Sequence, residues 1–144
     1  MFLGEFRHSL DVKGRLNIPS RYREEIGEQK LVATRGLDGN LVVYTEKGFE
    51  EYAARWMELS TGKADYRKWR RFVASTAEYC MLDKQGRILI SENLRKHAGL
   101  VKEAVISGNF DNFEIWSPER WEEVSNFGDN EEISNRIEEL DVRI

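Results

Sequence analysis

The sequence predicts an α+β fold made of two homologous halves packed about a pseudo-twofold axis. Three observations carry that prediction. The stretch Asp11-Val12-Lys13-Gly14-Arg15-Leu16-Asn17-Ile18-Pro19 returns as Asp83-Lys84-Gln85-Gly86-Arg87-Ile88-Leu89-Ile90-Ser91, at a constant offset of 72 residues. The register holds without a gap well beyond it: Arg23 falls on Arg95, Gly27 on Gly99, Asn40 on Asn112, Tyr44 on Trp116 and Phe49 on Trp121. Within each copy, short apolar runs bounded by turn residues stand beside segments of helical spacing, so strands and helices are both required. A repeat this long is a whole supersecondary unit used twice rather than a solenoid module. Each half, at roughly 70 residues, is marginal alone, and burying the halves against each other is the economical solution.

The first element is a hairpin. Phe6 to Leu10 and Leu16 to Ile18 flank Asp11-Val12-Lys13-Gly14, which suits a type I turn closed by a left-handed glycine. Asp11 is suited to accept backbone N–H groups inside the loop, and Gly14 to take the positive φ. Beyond the turn Leu16 and Ile18 face one side and Arg15 and Asn17 the other, so Arg15 stands at the hairpin end away from the core. Pro19 stops the strand and opens a helix over Ser20 to Ile26, which Gly27 ends. Tyr22 and Ile26 face inward there, with Arg21 and Arg23 on the polar side.

Leu31 to Thr34 and Leu41 to Tyr44 read as two strands, and Thr45 as the cap of a helix. In that helix Phe49, Tyr52, Ala53 and Trp56 make an apolar stripe, expected to be core or subunit contact rather than a base-stacking platform. Lys63 to Ala74 is a second amphipathic helix whose outer surface carries Arg67, Lys68, Arg70 and Arg71. It suits phosphate, an anionic membrane or a neighbour's acidic surface, or serves as a solvated connector.

The second half repeats the scheme from Thr76. Asp83, Gly86 and Arg87 repeat the turn chemistry, and Ile88 and Ile90 the inward face. Leu89 replaces Asn17 on the outward face, which predicts that this face is partly covered. Ser91 caps a helix ended by Gly99, and His97 is a residue of its carbonyl end. Ala104 to Ser107 and Phe113 to Trp116 repeat the later strands, and Ser117-Pro118-Glu119 is a strong helix start. Glu131 to Leu140 places Ile133, Ile137 and Leu140 on one face of an acidic helix outside the repeat, either a docking element or a frayed tail. The predicted division is 5–52 first repeat, 53–76 helical connector, 77–124 second repeat and 125–144 acidic tail.

Composition narrows the function. The chain of 144 residues is 40% hydrophobic and 33% charged, with one cysteine, Cys80, and two histidines, His8 and His97. One cysteine forbids an internal disulfide and a cysteine-based zinc site, and no acid, base and nucleophile set is recoverable; a non-enzymatic, cofactor-free and metal-free protein is expected. The start lacks the basic segment and apolar core of a secretory signal, and no run of about 18 apolar residues exists, so a cytoplasmic protein without membrane association is expected.

The formal net charge of −4 hides a strong segregation: residues 1–23 carry net +3, 24–65 net −4, 66–102 net +6 and 103–144 net −9. Both basic blocks contain a copy of the turn motif. Such a molecule can attract a polyanion on one side and repel it elsewhere.

The paired Asp-x-x-x-Arg signatures, Asp11 with Arg15 and Asp83 with Arg87, resemble those of the MraZ family, built from two tandem SpoVT/AbrB-like domains. Lys13-Gly14-Arg15, Pro19 with Arg23, Leu94-Arg95, His97-Ala98-Gly99-Leu100 and Phe113-Glu114-Ile115-Trp116 support the resemblance, which runs from Met1 to about Trp121. It implies a swapped-hairpin β-barrel core with short peripheral helices and a ring-like homo-oligomer. It also implies a nucleoid-associated transcriptional regulator, a repressor of the division and cell-wall gene cluster that recognises short tandem repeats in double-stranded DNA. By position Lys13, Arg15 and Arg87 are the DNA contacts it implies, with Asp11, Gly14, Asp83 and Gly86 shaping the loops. Gln85 departs from Lys13 and Ser91 from Pro19, which implies that the second loop binds less strongly or meets bases more than phosphates. A small-molecule substrate is not expected. The rival reading is a protein-interaction module, such as an antitoxin-like subunit of a protein pair.

Overall fold

The computed structural model describes residues 1–144 as eight strands and six helices. The strands are β1 (Glu5–Ser9), β2 (Arg15–Asn17), β3 (Leu31–Arg35), β4 (Leu41–Thr45), β5 (Glu78–Cys80), β6 (Arg87–Leu89), β7 (Glu103–Asn109) and β8 (Asn112–Trp116). The helices are α1 (Ser20–Ile26), α2 (Glu46–Met57), α3 (Ala64–Ala74), α4 (Glu92–Ala98), α5 (Pro118–Val124) and α6 (Asn130–Glu139). Their starts follow local chemistry. Thr45, Ser91 and Ser117 accept the backbone N–H of Gly48, Leu94 and Arg120, each satisfying a donor the helix leaves free.

Six strands form one antiparallel sheet in the order β1-β7-β8-β4-β3-β5, while β2 and β6 pair apart from it. The halves are interleaved: β1 of the first half pairs with β7 of the second, and β5 of the second with β3 of the first. The pseudo-twofold axis can be located from the register. Leu16 lies opposite Ile88, its own counterpart, and Val42 opposite Glu114. The axis therefore passes between β2 and β6 and between β4 and β8.

Two expectations are corrected. The segments around Asp11 do not form a full hairpin, because a single Leu10–Leu16 bridge joins them before β1 turns to β7 and β2 to β6. The sheet is open rather than a closed barrel. Its edges are β1 and β5, and the strands that could join them, β2 and β6, pair with each other instead.

Between ribbon and sheet lies one core containing Leu16, Ile18, Tyr22, Ile88, Ile90, Leu94, Ile106, Phe113 and Ile115, all at most 2% exposed. Complete burial of each such side chain is worth about 1.5–3 kcal/mol, so the alternation of β2 and β6 is strongly fixed. Tyr22 is its aromatic centre, edge-on to Phe2 and Phe6 at 5.1 and 5.4 Å, with its hydroxyl donating to the Leu3 and Gly4 carbonyls. The helical spacing of Tyr22 and Ile26 predicted the inward face, and both are buried.

Outside the core the coverage is thinner. No residue of α2 is buried; its aromatic stripe lies half-covered on Tyr44, with Tyr52 stacked on that ring at 4.9 Å. α3 is tied to β3 by Thr34, which donates to the Val73 carbonyl, and by Arg35, which donates to the Phe72 carbonyl and lies 4.2 Å above the Phe72 ring. Leu89, on the face expected to be partly covered, is 59% exposed. No helix is long and apolar enough to cross a membrane.

Candidate nucleic-acid interface

The two motif loops are near-identical in detail. Gly14 N–H donates to the Asp11 carbonyl at 3.0 Å and Gly86 N–H to the Asp83 carbonyl at 3.0 Å. One carboxylate oxygen of Asp11 accepts the backbone N–H of Lys13 and Arg15 at 3.0 and 2.9 Å; Asp83 accepts those of Gln85 and Arg87, both at 2.9 Å. The other oxygen takes the arginine Nε, at 2.6 Å from Arg15 and 2.9 Å from Arg87. Each aspartate thus shapes its loop and aims the arginine that ends it.

These bonds favour the charged carboxylate. The backbone N–H of Arg15, then its guanidinium and the Lys13 N–H, bring the Asp11 pKa down to about 2, against the desolvation that acts the other way. Asp83 is lowered for the same reason, led by the Arg87 N–H.

Both loops face one surface. On the β2–β6 ribbon Arg15 pairs with Leu89 and Arg87 with Asn17, which sets the arginines diagonally across the two strands. Such diagonal neighbours lie about 7–8 Å apart. Arg87 Nη1 reaches within 3.6 Å of the Asp11 carboxylate, so the first loop's acid also meets the second loop's arginine. The arginine side chains are partly exposed, 35% for Arg15 and 23% for Arg87, and Lys13 is open to solvent. Arg15, held at Nε, keeps its two-pronged Nη edge for another group, while Arg87 shares one prong with Asp11 and keeps Nη2. That fork matches a phosphate or the O6 and N7 of guanine.

Two further cations stand here that motif reasoning did not assign. Arg95 of α4 lies across Gly14, and Arg23 of α1 across Gly86. They are counterparts in the repeat, so the register already paired them. What it could not show is the crossing, each helix serving the other half's loop. The two histidines stand apart on β1 and α4, and no group of three or more His, Cys, Asp or Glu is placed to hold a metal.

The profile of a family described as "MraZ protein, putative antitoxin-like" matches this chain twice, over residues 1–72 and 73–143. A Transcriptional regulator MraZ of Thermoanaerobacter sp. (strain X514) is 43% identical over 144 residues, covering 99% of this chain and 100% of the relative. One of Moorella thermoacetica is 50% identical over 123 residues, 85% of each chain, and one of Ligilactobacillus salivarius is 46% identical over 122 residues, again 85% of each. The chain belongs to the MraZ family.

Proposed function

We propose that this MraZ-family chain is a transcriptional regulator that binds double-stranded DNA sequence-specifically, with Lys13, Arg15 and Arg87 as its contacts. Asp11, Gly14, Asp83 and Gly86 shape the loops that carry them. Residues 5–52 and 77–124 are the two working repeats, joined by 53–76, with 125–144 outside them. The observation that carries this reading is the pair of aspartate-held arginines on one face of the β2–β6 ribbon. The names of the relatives supply the regulatory role.

The finer reading keeps the terms of the family resemblance. The chain represses the division and cell-wall gene cluster from short tandem repeats, on the nucleoid in the cytoplasm. It does so as a ring-like homo-oligomer. Two arginines per subunit give modest affinity at cellular salt, and several subunits on successive repeats multiply it through effective concentration.

Footprinting on the region upstream of the chain's own gene, with Arg15→Ala and Arg87→Ala beside the parent, tests this. Each substitution should weaken binding about 5- to 150-fold, the worth of one bidentate contact, with the fold and oligomer intact. Full affinity in either variant removes that arginine from the interface. The family's antitoxin-like description favours one other reading, a subunit that binds DNA only with a protein partner. Repeat-specific protection by the purified chain alone would exclude it.

A further inference from the structure

We propose that Arg23 and Arg95 are phosphate-binding residues of this surface, each supplied crosswise to the loop of the opposite half. The inference rests on the DNA-binding reading and adds two residues to it.

The geometry is reciprocal. A Cβ placed on Gly14 would lie 2.7 Å from Nε and 2.9 Å from Cζ of Arg95; one on Gly86 would lie 2.6 Å from Cδ and 2.9 Å from Cζ of Arg23. Each loop glycine thus does two things. It takes a positive φ, +85° at Gly14 and +77° at Gly86, and it leaves bare backbone on which the other half's guanidinium rests. The backbone is crossed the same way, with Ile90 N–H donating to the Gly14 carbonyl and Ile18 N–H to the Gly86 carbonyl, both at 2.9 Å. Neither loop is complete without the other half.

Charge separates a binding role from a merely structural one. The Arg95 side chain donates only its Nε, to the Ile90 carbonyl at 3.0 Å, and the Arg23 side chain makes no hydrogen bond or ion pair within the chain. The chain has 26 carboxylates, yet none is paired with either guanidinium. Arg23 lines a hollow with Lys84, Asp83 and Glu28, neither carboxylate paired with it, and Arg95 lies against the loop that carries Lys13 and Arg15. Gathering unpaired cations costs Coulomb energy in the free protein, and a polyanion laid across them relieves it. The arginines of the ribbon are aimed by carboxylates, as base-reading residues require; Arg23 and Arg95 have no such guide and flank them, as backbone contacts do.

The test uses the full chain with Arg23→Met, Arg95→Met and the matching lysine substitutions. Affinity is measured across salt on the upstream duplex and on an unrelated duplex of equal length. Each methionine variant should lower the steepness of the log–log salt dependence by about 0.9 and weaken both duplexes by a similar factor. Between about 50 and about 200 mM salt this amounts to roughly a 3-fold smaller loss of affinity per residue. The lysine variants should keep the parental steepness. Unchanged steepness in both methionine variants overturns the proposal. So does a loss in the lysine variants equal to that in methionine, which would make the guanidinium a support for the loop. If the parent protein binds neither duplex, the regulator reading itself fails, and that outcome is visible before any variant is compared.

Discussion

Gly14→Ala tests the loop geometry most directly, because two independent costs can be read from the structure. The backbone there has φ of +85°, where a side chain costs about 1–2 kcal/mol. The new Cβ would also sit 2.8 Å from the Ile90 carbonyl oxygen and 2.7 Å from Arg95 Nε. The arginine can swing aside, but the carbonyl belongs to a backbone fixed by the Ile90–Gly14 hydrogen bond, and such overpacking costs a further 1–3 kcal/mol or so. The sum is about 2–5 kcal/mol, which at about 2–4 °C per kcal/mol lowers the melting temperature by roughly 10 °C. Gly99→Ala is the matched control. Its φ is +65°, but the nearest atoms are those of the Arg120 guanidinium at 3.3 Å, which must give by only a few tenths of an ångström, so the conformational cost of about 1–2 kcal/mol dominates. Thermal and urea melts of both variants give the comparison. Adding Arg95→Ala to Gly14→Ala should restore part of the loss, since one of the two obstructions is removed. Equal melting of the Gly14 and Gly99 variants would refute the crossed packing.

Two more outcomes follow from the same geometry. Leu16→Ala empties a fully buried site on the pseudo-twofold axis and should cost about 2–5 kcal/mol in a urea melt; a cost below about 1 kcal/mol would mean that the ribbon is not part of the core. Asp11 should titrate at about 2, read from its carboxyl carbon by NMR. Because its folded pKa lies below the ordinary carboxylate value, its contribution to stability is present above about pH 4 and is lost as the pH falls toward 2. Arg15→Ala should return the midpoint only part of the way, since the leading cause is a backbone N–H that the variant keeps; a full return would assign the shift to the guanidinium.

Which parts of the fold were legible follows from what residue patterns encode. The alternation of Leu16 and Ile18 with Arg15 and Asn17 fixes faces, because one face must be buried. The caps at Thr45, Ser91 and Ser117 fix helix starts, because each answers a local hydrogen-bonding need. The aspartate-held loop was legible for the same reason, since the hydrogen bonds that Asp11 accepts all come from within four residues, whereas its contact with Arg87 of the other half was not. Strand partners are a different matter. Faces do not specify edges, and with two similar halves β1 can satisfy its edge equally well inside its own half or across the axis. The residue pattern alone therefore suggests a sequence-adjacent hairpin, while the family resemblance implies a swapped one; β1 and β5 pair across the halves. Arg120 was illegible on other grounds. Its Nη1 donates to the Gly39 and His97 carbonyls, both at 2.7 Å, joining segments 81 and 23 residues away that no periodicity relates.

Having both halves in one chain allows the two sides of the ribbon to diverge, which an axis between identical subunits would forbid. Arg87 is paired across the ribbon with Asn17, whereas Arg15 is paired with Leu89, an apolar side chain left 59% exposed. Within the DNA-binding reading, Leu89 offers an apolar contact beside the first arginine, of the kind that reads a thymine methyl group. Leu89→Asn makes the outward faces of β2 and β6 alike while burying nothing new, so stability should stay within about 0.5 kcal/mol of the parent. Loss of one methyl-sized contact is worth about 0.8 kcal/mol, or roughly 4-fold in affinity. That loss should fall on the upstream duplex alone and leave the unrelated duplex and the salt dependence unchanged. This is the opposite signature to that of Arg23→Met and Arg95→Met. A uniform loss on both duplexes would show that Leu89 supports the ribbon instead of reading sequence, and the asymmetry of the two loops would then carry no information about the operator.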